Sequence, residues 1–281
     1  MSVQVNVLIV GGGGREHALA WKLGQSPDCS SLYCAPGNPG ISIEPNVTTL
    51  PDLSISNHGE VVSFCKSNGV GLVVVGPEAP LVEGLVDTLT EAGVPAFGPT
   101  KAAAQLEGSK AFMKDLCTKY GIPTAESAAF DTSESAHAYI AERGAPIVVK
   151  ASGLAAGKGV ILAETVEDAQ QAATEILEGG KFGSAGKQII VEDYLQGEEA
   201  SYFALIDGAA VVPLGSAQDH KAVFDGDKGP NTGGMGAYSP APVVTPELEA
   251  QVRRVSIPMR RRGRAPRGVL AASYSGIHAL V

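Results

Sequence analysis

The first twenty-five residues constrain the fold most. An apolar run, VNVLIV at 5–10, leads into four glycines, Gly11 to Gly14, and then into REHALAWKLGQ. The apolar run predicts a buried strand, and the segment from about Arg15 to Gln25 has helical periodicity. A strand that turns on glycine into a helix opens a βα unit, and the pattern repeats. Residues 31–35 predict a second strand, 59–68 a helix, GLVVVG at 71–76 a strand, 80–93 a helix and VPAFG a fourth strand. Strands alternating with helices at this spacing predict a parallel sheet flanked by helices.

The pattern changes after Gly108. SKAFMKDLCTKYGIP predicts a helix ending at Gly121, with Pro123 beyond it. Strands are predicted at 146–151 and 160–163, joined by a glycine loop over 152–159. A helix over about 166–178 opens at Thr165, and residues 188–195 and 201–207 predict further strands. The expected fold class is α/β, with a parallel-sheet domain over 1–108 followed by an α+β domain over 109–281.

Composition removes several function classes. No apolar run reaches the roughly 20 residues that span a bilayer, and the N-terminus has no basic leader region. Cys29, Cys34, Cys65 and Cys117 form neither a CxxC pair nor a zinc spacing, so free thiols in a reducing cytosol are expected. The net charge of −9 is uneven. Residues 1–249 carry 30 acidic and 14 basic residues, while seven arginines and no acid follow from 250 onward. An acidic body argues against nucleic-acid affinity.

Three glycine-rich segments carry the chemistry. Gly11-Gly12-Gly13-Gly14 opens a helix, so its N–H groups and the helix dipole suit a phosphate, with Arg15 as an added charged donor. It is a poor dinucleotide fingerprint, because Glu16 stands where the third glycine belongs and no acid follows in 31–43. His17 reads equally as a packed helix residue or a site residue. GPEAP at 76–80 ends the most apolar strand, where Glu78 could hold ribose hydroxyls or an amine, or be a solvated turn acid. The second segment, Ser152 to Gly159, is not a P-loop. Only three residues separate Gly153 from Gly157, and Gly159 follows Lys158 where Ser or Thr would touch magnesium. Beside Lys150 it suits a lid over a triphosphate. The third segment, Gln218 to Pro242, has five glycines between Gly226 and Gly236. That density predicts an irregular loop, neither helix nor strand, bringing backbone N–H groups to a charged small molecule. EDYLQGEE, with Glu192, Asp193, Tyr194, Leu195 and Glu199, ends a strand in acids and could meet a nucleoside.

GGGGREHALAWKL, GPEAPL, SKAFMKD, VVKASGLAAGKGV, EDYLQGEEAS and QDHKAVFDGDKGPNTGGMGAYSPAP occur in the order found in the phosphoribosylamine–glycine ligase family of ATP-grasp enzymes. The resemblance covers about residues 5 to 249. It implies a Rossmann-like N-terminal domain, then an ATP-grasp domain with a lid over about 122–194. It implies ATP and Mg2+ (or Mn2+), cytoplasmic purine biosynthesis, and free glycine, 5-phosphoribosylamine and ATP as partners, without nucleic acid or membrane. Gly11 to Gly14, Arg15 and Glu78 would face the phosphoribosylamine. Lys110, Lys150, Gly153, Gly157, Lys158 and Gly159 would hold ATP phosphates. Glu192, Asp193, Tyr194 and Leu195 would hold adenine, and Glu199 ribose. Asp219, Lys221, Asn231, Gly233, Gly234, Met235 and Gly236 would line the region of free glycine and the γ-phosphate. Family members often carry Arg where Ala222 stands, so one phosphate contact is expected to be missing.

The tail from about 250 departs from the family, which continues into an EFNxRFGDPE segment whose Glu and Asn hold magnesium. RGVLAASYSGIHALV only faintly echoes the family's next strand. The expectation is an ATP-grasp core cut short or frame-shifted, incomplete in its metal ligands and weak or inactive as a ligase. A non-catalytic nucleotide- and phosphoribosyl-binding fragment is the alternative, and a basic arm is the other reading of the arginines.

Overall fold

A computed structural model describes residues 4–155, 159–206, 211–226, 228–256 and 270–279. The chain divides into two compact units, Met1–Gln105 with Gly268–Ala271, and Leu106–Arg267 with Ala272–Val281.

The first unit runs β1 (Val5–Gly11), α1 (Gly14–Leu23), β2 (Cys29–Pro36), β3 (Val47–Thr49), α2 (His58–Ser67), β4 (Val70–Val75), α3 (Glu78–Glu83), α4 (Leu85–Glu91) and β5 (Ala96–Phe97). Its sheet has the order β3-β2-β1-β4-β5, and all four pairings are parallel. Leu8 and Val10 face one apolar core with Val73, while Val7 and Ile9 face another with Val74. Both faces of the central strands are therefore buried, which is why β1 from Val7 onward and β4 read as apolar runs.

Two expectations need correction here. The helix expected over 80–93 is two helices, because Gly84 sits at φ +97° and ends α3 before α4 begins. The sheet has five strands, because three-residue β3 pairs with β2 at Leu32, Tyr33 and Cys34. A strand that short carries no readable alternation.

Helix α5 (Lys101–Gly108) leads across the boundary to α6 (Lys110–Tyr120), the first helix wholly in the second unit. Ser109 Oγ accepts the Phe112 N–H at 3.2 Å to start α6, and Gly121 at φ +64° ends it. Next come β6 (Ser127–Phe130), α7 (Ser133–Arg143), β7 (Ile147–Ala151), β8 (Val160–Ala163), α8 (Val166–Glu178) and β9 (Ile189–Asp193). Thr165 caps α8 as expected, accepting the Asp168 N–H at 3.1 Å. The sheet order is β6-β9-β7-β8, antiparallel throughout. Ile147, Val149, Ile189 and Val191 pack with Ile140 of α7 and Ile176 of α8. The strand period of two then turns Lys150 and Glu192 to the opposite face.

A second sheet contains β10 (Glu198–Ile206), β11 (Val211–Phe224), β12 (Lys228–Tyr238) and β13 (Leu270–Ala279), in the order β12-β11-β10-β13, with β10, β11 and β12 antiparallel in turn. Helix α9 (Pro246–Ser256) follows β12. The glycine-rich third segment is thus not an irregular loop, and the expectation is overturned. It forms a long hairpin in which Gln218 pairs with Tyr238, Ala222 with Asn231 and Phe224 with Lys228. Cross-strand hydrogen bonding outweighs the entropic cost of the glycines, and two register irregularities absorb the misfit. Gly226 at φ +73° serves the turn and Gly229 at φ +88° the irregular strand start. All four cysteines are free. Among the described residues no helix is long and apolar enough to cross a membrane.

Gly84→Ala is expected to lower stability by about 1–2 kcal/mol, the cost of a left-handed residue bearing a Cβ. That Cβ would also lie 3.2 Å from the Lys101 side chain. The urea midpoint should fall at constant slope; an unchanged midpoint refutes the role given to Gly84.

Candidate functional site

The glycine loop of the first unit is organised by Glu16, which stands where a dinucleotide fingerprint would have its third glycine. Glu16 is only 3% exposed. Its Oε2 accepts the Gly13 N–H at 2.7 Å, and its Oε1 accepts from Arg15 Nε at 3.0 Å. A Cβ on Gly76 would lie 2.1 Å from Glu16 Oε1, and one on Gly11 2.6 Å from its Cγ. The glycines at 11 and 76 make room for this carboxylate. The loop therefore does not present every N–H freely, since Gly13 is already engaged. A Cβ on Gly12 would meet the Gly37 carbonyl at 2.5 Å, while Gly14 opens α1.

Arg15 also reaches Glu78, with Nη1 donating to Oε1 at 3.2 Å. Arg15 and Glu78 thus come together beside the loop. His17 is half-buried against Glu44, Nε2 to Oε1 at 2.8 Å. Asn38 holds the loop from β2's far end, donating to the Gly12 carbonyl at 2.9 Å.

The second unit gathers a denser cluster. Lys110 sits in the first turn of α6, with its Nζ 3.2 Å from the Gly153 carbonyl it donates to. The start of α6 is docked on the second glycine loop: the Lys110 N–H donates to the Ser152 carbonyl at 2.8 Å and the Ala111 N–H to Ser152 Oγ at 3.2 Å. A Cβ on Gly153 would lie 2.7 Å from Ala185 Cα, and one on Gly159 2.7 Å from Ala155 Cβ. Gly157 and Lys158 lie outside the described residues.

Lys150 of β7 and Glu192 of β9 stand diagonally, since Lys150 pairs with Ile190 and Val148 with Glu192. Their side chains form an ion pair. Glu192 is 6% exposed and meets a second lysine, Lys114 of α6, at 2.7 Å. Lys114 was not foreseen. Its only sequence signal is a spacing of four from Lys110, which places both on one side of α6. Burial pushes the Glu192 carboxyl up, but Lys150 and Lys114 more than offset this and hold it below its ordinary 4.5. Burial pushes the Lys110 ammonium below its ordinary value, with Glu107 opposing and Lys150 adding to the shift.

The strand end beyond Glu192 is also fixed. Asp193 accepts from Arg143 Nε at 3.2 Å, and its own N–H donates to the Glu126 carbonyl at 3.0 Å. Tyr194 is exposed and Leu195 half-buried. Further on, Lys221 of β11 binds Glu199 of β10 at 2.8 Å and Asp219 at 2.9 Å. Burial disfavours the Lys221 charge, but the two acids raise it above its ordinary value. Asn231 pairs with Ala222, and Gly236 with His220, across the hairpin. Gly233, Gly234 and Met235 belong to β12. Among the described residues no three His, Cys, Asp or Glu side chains converge as a metal site requires.

Comparison with known proteins gives concordant findings. Residues 5–107 match the phosphoribosylglycinamide synthetase N domain, and residues 108–274 match the phosphoribosylglycinamide synthetase ATP-grasp (A) domain. A phosphoribosylamine–glycine ligase of Rhizobium meliloti (strain 1021) is 57% identical over 264 residues, covering 94% of this chain and 62% of its own length. One from Brucella melitensis is 55% identical over 273 residues, covering 97% and 62%. The crystal structure of phosphoribosylamine–glycine ligase from Thermotoga maritima superposes with a TM-score of 0.72 at 30% identity, over 94% of this chain and 64% of that one. The chain thus spans less than two thirds of the length of these relatives.

The ion cluster has a pH signature. A folded carboxyl held below its ordinary value stabilises the fold above that value and loses this contribution as pH falls through its folded value. Glu192→Gln is therefore expected to cost about 3 kcal/mol at pH 7 by leaving two lysines unpaired. It should also flatten the fall of stability below about pH 4.5. Chemical denaturation across pH 3–7 checks both, and an acid limb as steep as the parent's would refute the assignment.

Proposed function

This chain belongs to the phosphoribosylglycinamide synthetase family, and on that premise we propose that it supplies the nucleotide- and phosphoribosylamine-binding parts of an ATP-dependent ligase. The proposed reaction joins free glycine to 5-phosphoribosylamine. A glycine carboxylate is a poor electrophile, so it first attacks the γ-phosphorus of ATP, forming glycyl phosphate and releasing ADP. The amine of phosphoribosylamine then attacks the acyl carbon. The C–N bond forms, phosphate leaves with the acyl oxygen's electron pair, and the amine loses a proton.

The residue roles are those that the family resemblance implies. Lys110 and Lys150 present ammonium groups beside the Gly153 loop, where they neutralise phosphate charge and orient the transferring group. Gly157, Lys158 and Gly159 would complete that loop over the phosphates. The strand end from Glu192 through Asp193 and Tyr194 to Leu195 offers backbone groups to an adenine edge. Glu199 would accept ribose hydroxyls. Asp219, Lys221 and Asn231 on the hairpin, with Gly233, Gly234, Met235 and Gly236, would border free glycine and the γ-phosphate. In the first unit Gly11 to Gly14, Arg15 and Glu78 would take the phosphoribosylamine, anion at the helix start and amine at the carboxylate. The family resemblance implies magnesium as well. The described residues show no cluster that fits it. Reaction in the cytoplasm, within purine biosynthesis, is part of the same proposal.

The observation that carries the reading is the cluster of Lys110, Lys150 and Glu192 beside Gly153. Calorimetry with ATP is expected to show binding, weakened about tenfold or more in Lys150→Met by loss of one charge-assisted hydrogen bond. Glycine-dependent ADP release in the presence of phosphoribosylamine tests the ligation. Binding without turnover restricts the chain to ligand binding. No ATP binding by the parent protein overturns the reading.

A further inference from the structure

Lys114 is a buried charge that the reaction above does not use. Its ammonium has three N–H groups. One meets Glu192 Oε2 at 2.7 Å, one donates to Thr124 Oγ1 at 2.8 Å and one to the Ala125 carbonyl at 2.9 Å. The group is fully satisfied, and its side chain is 9% exposed. Lys150 binds the other oxygen of the same carboxylate, but its side chain keeps 23% exposure. Of the two lysines on Glu192, one is locked and the other retains access to solvent.

A desolvated carboxylate cannot be left without a counter-charge. If Lys150 were the sole partner of Glu192, turning its ammonium toward a phosphate would strand that carboxylate. Lys114 removes this conflict. It compensates Glu192 permanently, so the positive charge of Lys150 is surplus. We propose that Lys114 is a positioning residue that holds Glu192 and so releases Lys150 to bind the phosphates of a nucleoside triphosphate. The inference rests on the nucleotide-binding reading above. It adds that affinity for the phosphates depends on a lysine that never touches them.

A double-mutant cycle on the full chain tests it, with ATP and adenosine as calorimetric probes. In the parent protein, Lys150→Met weakens ATP binding at least tenfold. Lys114→Met also weakens ATP at least tenfold, because Lys150 is then retained by Glu192, while adenosine affinity changes less than threefold. In the Lys114→Met background, adding Lys150→Met costs less than a further threefold. A purely structural Lys114 would lower the melting temperature yet leave the Lys150→Met penalty at tenfold, and that additive result overturns the proposal. Should Lys114→Met fail to fold, Lys114→Gln keeps a donor toward Glu192 without the charge and is expected to show the same non-additivity. An unchanged ATP affinity in either folded variant also overturns it. A parent protein that binds no ATP overturns the nucleotide reading and this inference with it, whereas ATP binding with additive losses removes this inference alone.

Discussion

Glu192 is the carboxylate on which the second unit's candidate site depends. It is buried at the end of β9, where the face opposite the helices receives α6. Alone, its charge would be too costly to bury. Two lysines from two different elements make it tolerable, Lys114 from α6 and Lys150 from β7. The same contacts tie α6 to the sheet. Backbone bonds from Lys110 and Ala111 to Ser152 then carry that attachment to the glycine loop. Removing the carboxylate therefore disturbs a helix, a strand pair and a loop together, and not one ion pair.

The first unit uses a related arrangement at another glycine loop. Glu16 is buried beneath Gly11, Gly13 and Gly76, and it accepts from a backbone N–H and from Arg15. In both units a buried acid sets the position of nearby cations. The difference lies in what remains free. Around Glu16 the compensating donors are Gly13 and a half-exposed arginine shared with Glu78. Around Glu192 there are two full positive charges for one negative, and the excess sits on the more accessible lysine.

Much of this was legible in the chain because strong local signals agree with the packing. The apolar runs of β1 and β4, the caps at Ser109 and Thr165 and the stop at Gly121 all behave as their residue types dictate. Motif order alone pointed to the family. What stayed hidden depends on contacts between distant residues. Lys114 and Glu192 are 78 positions apart, and nothing local marks their meeting. The three residues of β3 are too few to show alternation. The break at Gly84 hid because a single glycine inside a helical pattern is commonly tolerated.

The hairpin shows where local reasoning fails most clearly. Glycine content argued against a strand, yet β11 and β12 pair from Gln218–Tyr238 to Phe224–Lys228. The glycines do not all serve one purpose. Gly229 has φ +88°, and a Cβ there would lie 2.6 Å from the Phe224 ring, so the hairpin itself requires glycine. Gly236 has no such φ, and a Cβ there would meet nothing within 4 Å. Among the described residues neither dihedral nor packing explains glycine at 236. A backbone kept bare for a ligand's approach would explain it, as the proposed glycine and γ-phosphate region does.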